Sequence, residues 1–452
     1  MQLAKLRSNR INGSITMKKV VVFGAGLVAK PGIRYLLDKG FEVTVASRTV
    51  SKAEAIVDNH PNGIAVAFDI TKDPLDDIIK ETDLAISLLP YAFHPDIAKA
   101  CIKHKKHMAT TSYVSDAMKA LDADAKKAGI MIMNECGVDP GTDHMSAMKI
   151  IHEVQGKGGK VTSFRSICGG LPAPQSNDNP MGYKFSWSPK GVILAGTNAA
   201  QFLQDGKKVD IKSGDLFNHY WPMNVEGLEL ETYPNRDSLQ YIELYGLEGI
   251  KTMYRGTFRY PGWCETLQAL FDLGLMNKDA QEGLDGLNWK QLMQRILNYT
   301  GDDIRKEVAK KLGKSDDTEC LNRLEWMGLF NDTPLAKGES YLDVLADLFL
   351  NKLGEFKPGE QDMIVMLHEF KAEYPDGKKE TITSTLLDYG IPNGDSSMSR
   401  TVSLPVAIAV RMMLEGTIKG EGIVIPTAPD VYTPILNELE TMDIKFIEKV
   451  LD

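Results

Sequence analysis

No stretch of the 452-residue sequence approaches the roughly 20 consecutive apolar residues that cross a bilayer, so no membrane partner is expected. Cysteine is scarce and scattered: Cys101, Cys136, Cys168, Cys264 and Cys320 form no C-x-x-C pair. That argues against a disulfide framework and a zinc ribbon, and fits a reducing compartment such as the cytoplasm. Histidine is equally sparse, at eight, with no H-E-x-x-H spacing, and no metal site is expected. There is no long basic run, and acids outnumber Lys and Arg to leave a net charge of −9, which disfavours nucleic acid as a partner. Internal repeats and low-complexity stretches are also missing. Residues 1–16 contain no acid but hold Lys5, Arg7 and Arg10. They lack a secretory apolar core, and read as a tail, as sequence ahead of a start at Met17, or as a short targeting segment.

What is present is the composition of a water-soluble globular enzyme, 43% apolar and 25% charged, long enough for two or three domains. Residues 18–140 alternate between short apolar runs and amphipathic stretches. Strands are expected at 19–23, 42–46, 64–69, 84–89, 107–111 and 130–133, with helices between them, one of them over 28–39. Near-continuous apolar strands separated by helices imply a parallel sheet covered on both faces. Beyond Gly141 the pattern changes to α+β. Strands are expected at 160–168 and 253–260, and a hairpin joins 362–374 to 379–389 around Pro375-Asp376-Gly377-Lys378. Helical spacing dominates 262–353, where Leu342, Leu345, Leu348 and Phe349 share one face, and Trp289, Leu292, Met293 and Ile296 another. A last amphipathic helix is expected over 405–415, followed by a tail.

The first strand runs directly into Gly24-x-Gly26-x-x-Ala29. This is the dinucleotide fingerprint in the context it requires, between a strand and a helix. Gly24 permits the tight turn, Gly26 lets backbone approach a pyrophosphate, and Ala29 lets the helix pack on the strand. The helix N-terminus then offers free N–H groups and partial positive charge to phosphates. Gly24, Ala25, Gly26, Leu27 and Val28 are therefore candidate cofactor contacts. An NAD enzyme places Asp or Glu at the end of the second strand. Here Ala46-Ser47-Arg48-Thr49 stands in that position, with no carboxylate. Ser47 and Thr49 can donate to a phosphate and Arg48 can clamp it, which points to NADP(H). Asp69 and Ile70 close the third strand, where an adenine edge usually sits. The reading is an α/β Rossmann fold, a doubly wound parallel sheet, with a second α+β domain.

Five motifs carry a resemblance to a known family. They are Asn134-Glu135-Cys136-Gly137-Val138-Asp139-Pro140-Gly141-Thr142-Asp143-His144-Met145, Gly169-Gly170-Leu171-Pro172-Ala173-Pro174, and Asn179-Pro180-Met181-Gly182-Tyr183-Lys184-Phe185-Ser186-Trp187-Ser188. Tyr233-Pro234-Asn235-Arg236-Asp237-Ser238 and Arg255-Gly256-Thr257-Phe258-Arg259-Tyr260 complete the set. From about residue 18 to the C-terminus the chain resembles the glutamate-forming saccharopine dehydrogenases. The resemblance implies a Rossmann domain over 18–143, onto which 395–452 packs back. It implies an α+β substrate and dimerisation domain over 144–261 with 354–394, and a helical third domain over 262–353. It further implies a homodimer. The reaction would be saccharopine plus NADP+ and water giving glutamate and 2-aminoadipate 6-semialdehyde, or its reverse. The alternatives are a related carboxynorspermidine dehydrogenase and a non-catalytic dinucleotide-binding protein.

By the same resemblance, Leu88 and Leu89 shape the nicotinamide side, Thr111 and Ser112 meet the cofactor, and Val138, Asp139, Pro140 and Ser188 lie near it. Ser112, Tyr113, Asp139, Arg236, Thr257, Phe258 and Arg259 would contact substrate. Arg236 and Arg259 suit its carboxylates, since a planar guanidinium grips a carboxylate through two parallel hydrogen bonds. The chemistry needs an unprotonated amine, and Asp139 and Tyr113 are the candidate acid–base groups. Cys136 and His144 beside them read as a small buried hydrophobe and a helix-start or core histidine.

Overall fold

The computed structural model describes residues 17–187 and 189–451. Residues 1–16 lie outside the described residues. The chain divides into two compact units, Met1–Cys136 with Val406–Ile425 and Gly137–Pro405 with Pro426–Asp452.

In the first unit the apolar runs become β1 (Lys19–Phe23), β2 (Glu42–Ser47), β3 (Gly63–Ala67), β4 (Leu84–Ser87), β5 (His107–Thr110) and β6 (Met131–Met133). A seventh strand, β15 (Gly422–Val424), returns from late in the chain. The sheet order is β15-β6-β5-β4-β1-β2-β3, with every ladder parallel. This is the doubly wound Rossmann sheet, whose strand order reverses between β1 and β4. Val20, Val21, Val22 and Phe23 are all buried, as a strand covered on both faces requires. The first helix, Lys30–Asp38, starts two residues later than expected, because residues 26–29 are spent on a turn in which Ala29 N–H donates to the Gly26 carbonyl.

The second unit is built on a mixed sheet. Its strands are β7 (Lys160–Pro172), β8 (Ala200–Gln204), β9 (Lys207–Ile211), β10 (Trp221–Val225), β11 (Leu228–Pro234), β12 (Thr252–Arg259), β13 (Asp362–Glu373), β14 (Lys379–Tyr389) and β16 (Ile447–Leu451). The main order is β10-β11-β12-β7-β13-β14-β16, with β7 and β12 parallel and the remaining ladders antiparallel. Gly169 is needed at the β7–β12 seam, since a Cβ there would stand 2.7 Å from the Phe258 carbonyl oxygen. Five helices from Trp263–Asp272 to Tyr341–Leu353 bury Trp263, Leu267, Trp289, Leu345 and Phe349 in the same apolar core as Tyr183 and, from the sheet, Tyr233 and Phe258. Residues 262–353, the stretch expected to be helical, share that core and fall within this compact unit. Among the described residues no helix is long and apolar enough to cross a membrane.

Two stretches differ from expectation for identifiable reasons. The hairpins β8–β9 and β10–β11 turn at Asp205-Gly206 and Glu226-Gly227, all four residues at positive φ. Such two-residue turns match the twist of paired strands. The last part of the chain is not a tail. A helix runs from Ser397 to Glu415, through Pro405, and a further helix, Pro429–Glu440, and two strands follow. The long helix begins eight residues early because buried Asp362, on β13, accepts hydrogen bonds from the Ser397 and Met398 backbone N–H groups at 2.7 and 2.8 Å. That cap comes from 35 residues away, so no local pattern announces it.

One buried residue of this unit makes stability depend on pH. His368, on β13, is fully buried among Phe164, Phe370 and Phe446, and neither ring nitrogen has a hydrogen-bond partner among the described residues. Burial pushes its pKa down to about 4. Between the ordinary histidine value near 6.5 and that depressed value, the unfolded chain takes up a proton and the folded chain does not. Stability therefore falls as pH drops through this window, by on the order of 2–3 kcal/mol from this group. Denaturant midpoints measured from pH 7 to pH 4 should show a shallower decline in His368→Leu than in the parent. Parallel profiles would remove His368 as the cause.

Candidate active site

In the first unit the candidate cofactor residues gather at the carboxyl ends of β1, β2, β3, β4 and β5. Gly24 has φ +112, and a Cβ there would lie 3.3 Å from the Leu88 carbonyl oxygen, so the turn itself demands glycine. Gly26 is different. Its φ is not in the left-handed region, and a Cβ would meet nothing within 4 Å. The protein does not require glycine there; its effect is to leave room at the helix N-terminus. Leu27 is half exposed, Ala25 is buried and Val28 half-buried. At the end of β2, Ala46 is buried while Arg48 and Thr49 are exposed, and Thr49 N–H donates to Ser47 Oγ at 3.3 Å. Asp69 is committed locally: its Oδ1 accepts from Thr71 Oγ1 at 2.7 Å and from Thr71 N at 3.0 Å. Those bonds hold its pKa down to about 2. Ile70 beside it in sequence, and Leu88 and Leu89 after β4, are half-buried.

Thr111, Ser112 and Tyr113 follow β5 and are half-buried. The Ser112 carbonyl accepts from Glu135 N–H at 3.1 Å, and the Glu135 carboxylate accepts from Val114 N–H at 2.9 Å, which fixes the loop on both sides of Tyr113. The backbone here is thus held by the unit's own polar groups, while the side chains of 111–113 stay partly accessible.

The second unit gathers a charged cluster that the sequence reading named only in part. Gly137–Gly141 forms a tight turn containing a cis Asp139–Pro140 bond, with Val138 and Pro140 buried. A Cβ on Gly141 would stand 2.1 Å from the Gly137 carbonyl oxygen, so only glycine closes this turn. It brings Asp139 close to Asp143, in the first turn of the helix Thr142–Gly156. Arg255 Nη2 donates to both carboxylates, to Asp139 and, at 2.7 Å, to Asp143. The guanidinium lies on the Tyr241 ring, 4.4 Å from its centroid. His144 Nδ1 meets the Tyr245 hydroxyl at 2.5 Å and Asp143 at 3.7 Å. Burial opposes the Asp143 charge, yet His144 and Arg255 hold its carboxyl below the usual carboxylate range. The Asp143 and Arg255 side chains are 1% and 3% accessible, whereas Asp139 is 15% accessible, making it the member of the trio that solutes can reach.

Strand alternation explains the next group. Arg255, Thr257 and Arg259 share one face of β12, and Tyr233 and Cys168 pair with Thr257 from the flanking strands. Arg259 is buried, and its guanidinium lies 5.1, 5.9 and 5.3 Å from the ring centroids of Tyr183, Tyr233 and Trp263. Its Nη1 donates to the Phe258 carbonyl at 2.7 Å, and Nε has no hydrogen-bond partner among the described residues. Among the described residues no carboxylate pairs with it. The Tyr183 hydroxyl and Trp263 Nε1 are likewise buried without a hydrogen-bond partner among the described residues. Burial raises the pKa of Tyr183 and pushes Tyr233 up to about 12, so both hydroxyls keep their protons. Burial and the Asp139 and Asp143 charges raise the Cys168 thiol well above its ordinary value.

Phe258 sits on the opposite face of β12, fully buried in the apolar core. Only its carbonyl faces Arg259, so its side chain does not join the group in which it was expected. Arg236 is exposed at φ +54 in a loop stitched to β12, where Asn235 N–H donates to the Arg255 carbonyl and Arg255 N–H to Ser238 Oγ. Its neighbour Asp237 accepts from Leu239 N–H at 2.8 Å. Ser188 lies outside the described residues. Cys136 and His144 are both fully buried, but His144 belongs to the charged cluster as well as to the helix start. Arg255 could have been found by stepping back four residues from Arg259 along an alternating strand; Asp143, Tyr241 and Trp263 carried no comparable signal.

Comparison with known proteins matches residues 20–133 to the family model described as the saccharopine dehydrogenase NADP binding domain, and residues 137–444 to the saccharopine dehydrogenase C-terminal domain. The chain is 41% identical to the saccharopine dehydrogenase [NADP(+), L-glutamate-forming] of Schizosaccharomyces pombe, over 96% of this chain and 100% of that protein. It is 42% identical to the protein of the same name from Saccharomyces cerevisiae, over 94% and 97% of the two chains. A solved apo structure of the Saccharomyces cerevisiae saccharopine dehydrogenase (L-Glu forming) aligns with TM-score 0.87 at 40% identity, covering 96% of this chain and 100% of that one. With both of its units matched and near full-length relatives at 41% and 42% identity, the chain belongs to the saccharopine dehydrogenase family.

Proposed function

We propose that this protein is an NADP(H)-dependent oxidoreductase that interconverts saccharopine, in the presence of water, with L-glutamate and 2-aminoadipate 6-semialdehyde, in lysine metabolism. The observation that carries the substrate side is Arg259. A buried guanidinium with no carboxylate partner is costly, and a ligand carboxylate offsets that cost. The protonated Tyr183, Tyr233 and Trp263 add donors and ring faces but no competing anion.

The first unit fits NADP(H). The bend at Gly24, the room left at Gly26 and the helix N-terminus suit a pyrophosphate. Ser47, Arg48 and Thr49, in place of a carboxylate, suit a 2′-phosphate, and Asp69 and Ile70 the adenine end. Leu88, Leu89 and Thr111 are assigned to the nicotinamide end, with Val138 and Pro140 as further contacts. When bound, the cofactor accepts or supplies the hydride. The protein's own task is to hold the secondary amine and handle its proton. Asp139, accessible while tied to Arg255, is the group assigned to hold the cationic nitrogen and take its proton. Tyr113 is the second proton-handling group, and Ser112 a polar contact to ligand. Arg236 and Arg259 with Thr257 take the carboxylates. A cytoplasmic homodimer completes the reading; the five buried, unpaired cysteines accord with a reducing compartment.

Incubation with saccharopine and NADP+ should produce the reduced-cofactor absorbance band, and its absence with correctly folded protein sinks the proposal. Arg259→Met should lower kcat/KM for saccharopine by about a hundredfold or more, the scale of a lost charge-assisted pair. The same change should leave thermal stability equal or higher, because it removes an unpaired buried charge. A destabilised variant with unchanged kcat/KM would make Arg259 structural. At the other end, Arg48→Asp should weaken NADP(H) more than NAD(H) in a direct titration of both. Equal losses would defeat the 2′-phosphate assignment.

A further inference from the structure

His94 is a buried imidazole in the first unit that the proposed chemistry has not used. It opens the helix His94–His104 and is 1% exposed. Its Nδ1 lies 2.9 Å from Ser87 Oγ, at the end of β4. Its Nε2 lies 2.8 Å from Ser112 Oγ and 3.2 Å from Thr110 Oγ1, at and beyond the end of β5. Ser112 N–H in turn donates to Thr110 Oγ1 at 3.3 Å. Three hydroxyls from two neighbouring strand ends therefore meet one ring.

Burial pushes the His94 pKa down to about 4, so the ring is neutral at working pH and carries one N–H donor and one lone pair. Whichever nitrogen holds the proton, Nε2 has one fixed role. It either donates to Ser112 Oγ, leaving the Ser112 proton to point elsewhere, or accepts, leaving the Ser112 oxygen lone pairs available. Ser87 and Thr110 are in-register partners on adjacent strands. A brace between the strands needs only those two. The shortest contact of the ring goes instead to Ser112, two residues past the strand and partly accessible.

We infer that His94 is a positioning residue, whose Nε2 fixes the rotamer and the hydrogen-bonding role of the Ser112 hydroxyl. Ser112 then meets its ligand already oriented, without first losing rotational freedom. This rests on the reading above that Ser112 touches the ligand.

The two amide replacements separate the ring nitrogens. Glutamine places its amide near the reach of Nε2, and asparagine near that of Nδ1. Steady-state kinetics should show Ser112→Ala lowering kcat/KM for saccharopine by about tenfold, the scale of one neutral hydrogen bond. His94→Asn should give a similar loss, and the double variant should be little worse than either single one, because both remove the same interaction. His94→Gln should stay within about threefold of the parent. If Ser112→Ala is impaired while His94→Asn is not, or if the two losses multiply, the positioning role is overturned and the Ser112 assignment survives. If Ser112→Ala matches the parent, the Ser112 assignment itself fails and takes the inference with it. Should His94→Asn not fold, His94→Gln decides: a loss equal to that of Ser112→Ala, with parental melting temperature, overturns the inference.

Discussion

The second unit depends on one guanidinium shared by two carboxylates. Arg255, Asp139 and Asp143 are removed from water to different extents, and none of the three could stay charged there alone. Holding them requires three separate backbone devices. The turn at Gly137–Gly141 brings one carboxylate beside the other, β12 supplies the arginine, and the loop at 235–238 is hydrogen-bonded to the arginine's own backbone. A fault in any of these leaves a buried charge uncompensated, which costs several kcal/mol, a large part of a typical domain's stability. The ion pair is therefore a strong constraint on local geometry even where its net contribution to stability is small.

How much of this was legible in the sequence follows from which interactions are local. The first unit could be read because each strand is a short apolar run and its turns carry their own glycines. Gly24 and Gly26 look alike in sequence, but the structure separates them: the fold demands one and leaves the other open. The long C-terminal helix was cut short because its cap, Asp362, comes from another strand. The β8–β9 hairpin did have a local signal, Asp205-Gly206, that a closer turn reading would have caught.

The site divides along the same line. Arg259 stood out in a motif, yet nothing in the motif told which of its neighbours shared its face. Alternation along β12 puts Thr257 and Arg255 with it and sends the Phe258 side chain away. The aromatic walls come from Tyr183, Tyr233 and Trp263, spread over 80 residues of sequence, and only the folded chain assembles them. Nothing in the sequence marks His94, one histidine at the start of a helix; its contacts with Ser87 and Ser112 are what distinguish it.

The two arginines of β12 are treated in opposite ways, and that contrast gives the face its electrical character. Arg255 meets two carboxylates, and His144 stands 3.7 Å from Asp143, which leaves accessible Asp139 as the negative edge of the cluster. Arg259, four residues along the same strand, has aromatic rings where a counter-ion would sit. Negative and positive ends therefore lie on one sheet face, separated by about four residues of extended chain, or roughly 13 Å. In a protein of net charge −9, a distant field would repel any anion, so attraction for a carboxylate has to be local and shielded from water. A surface that is negative at one end and positive at the other complements a ligand bearing both a cationic nitrogen and carboxylates, and disfavours one bearing either charge alone.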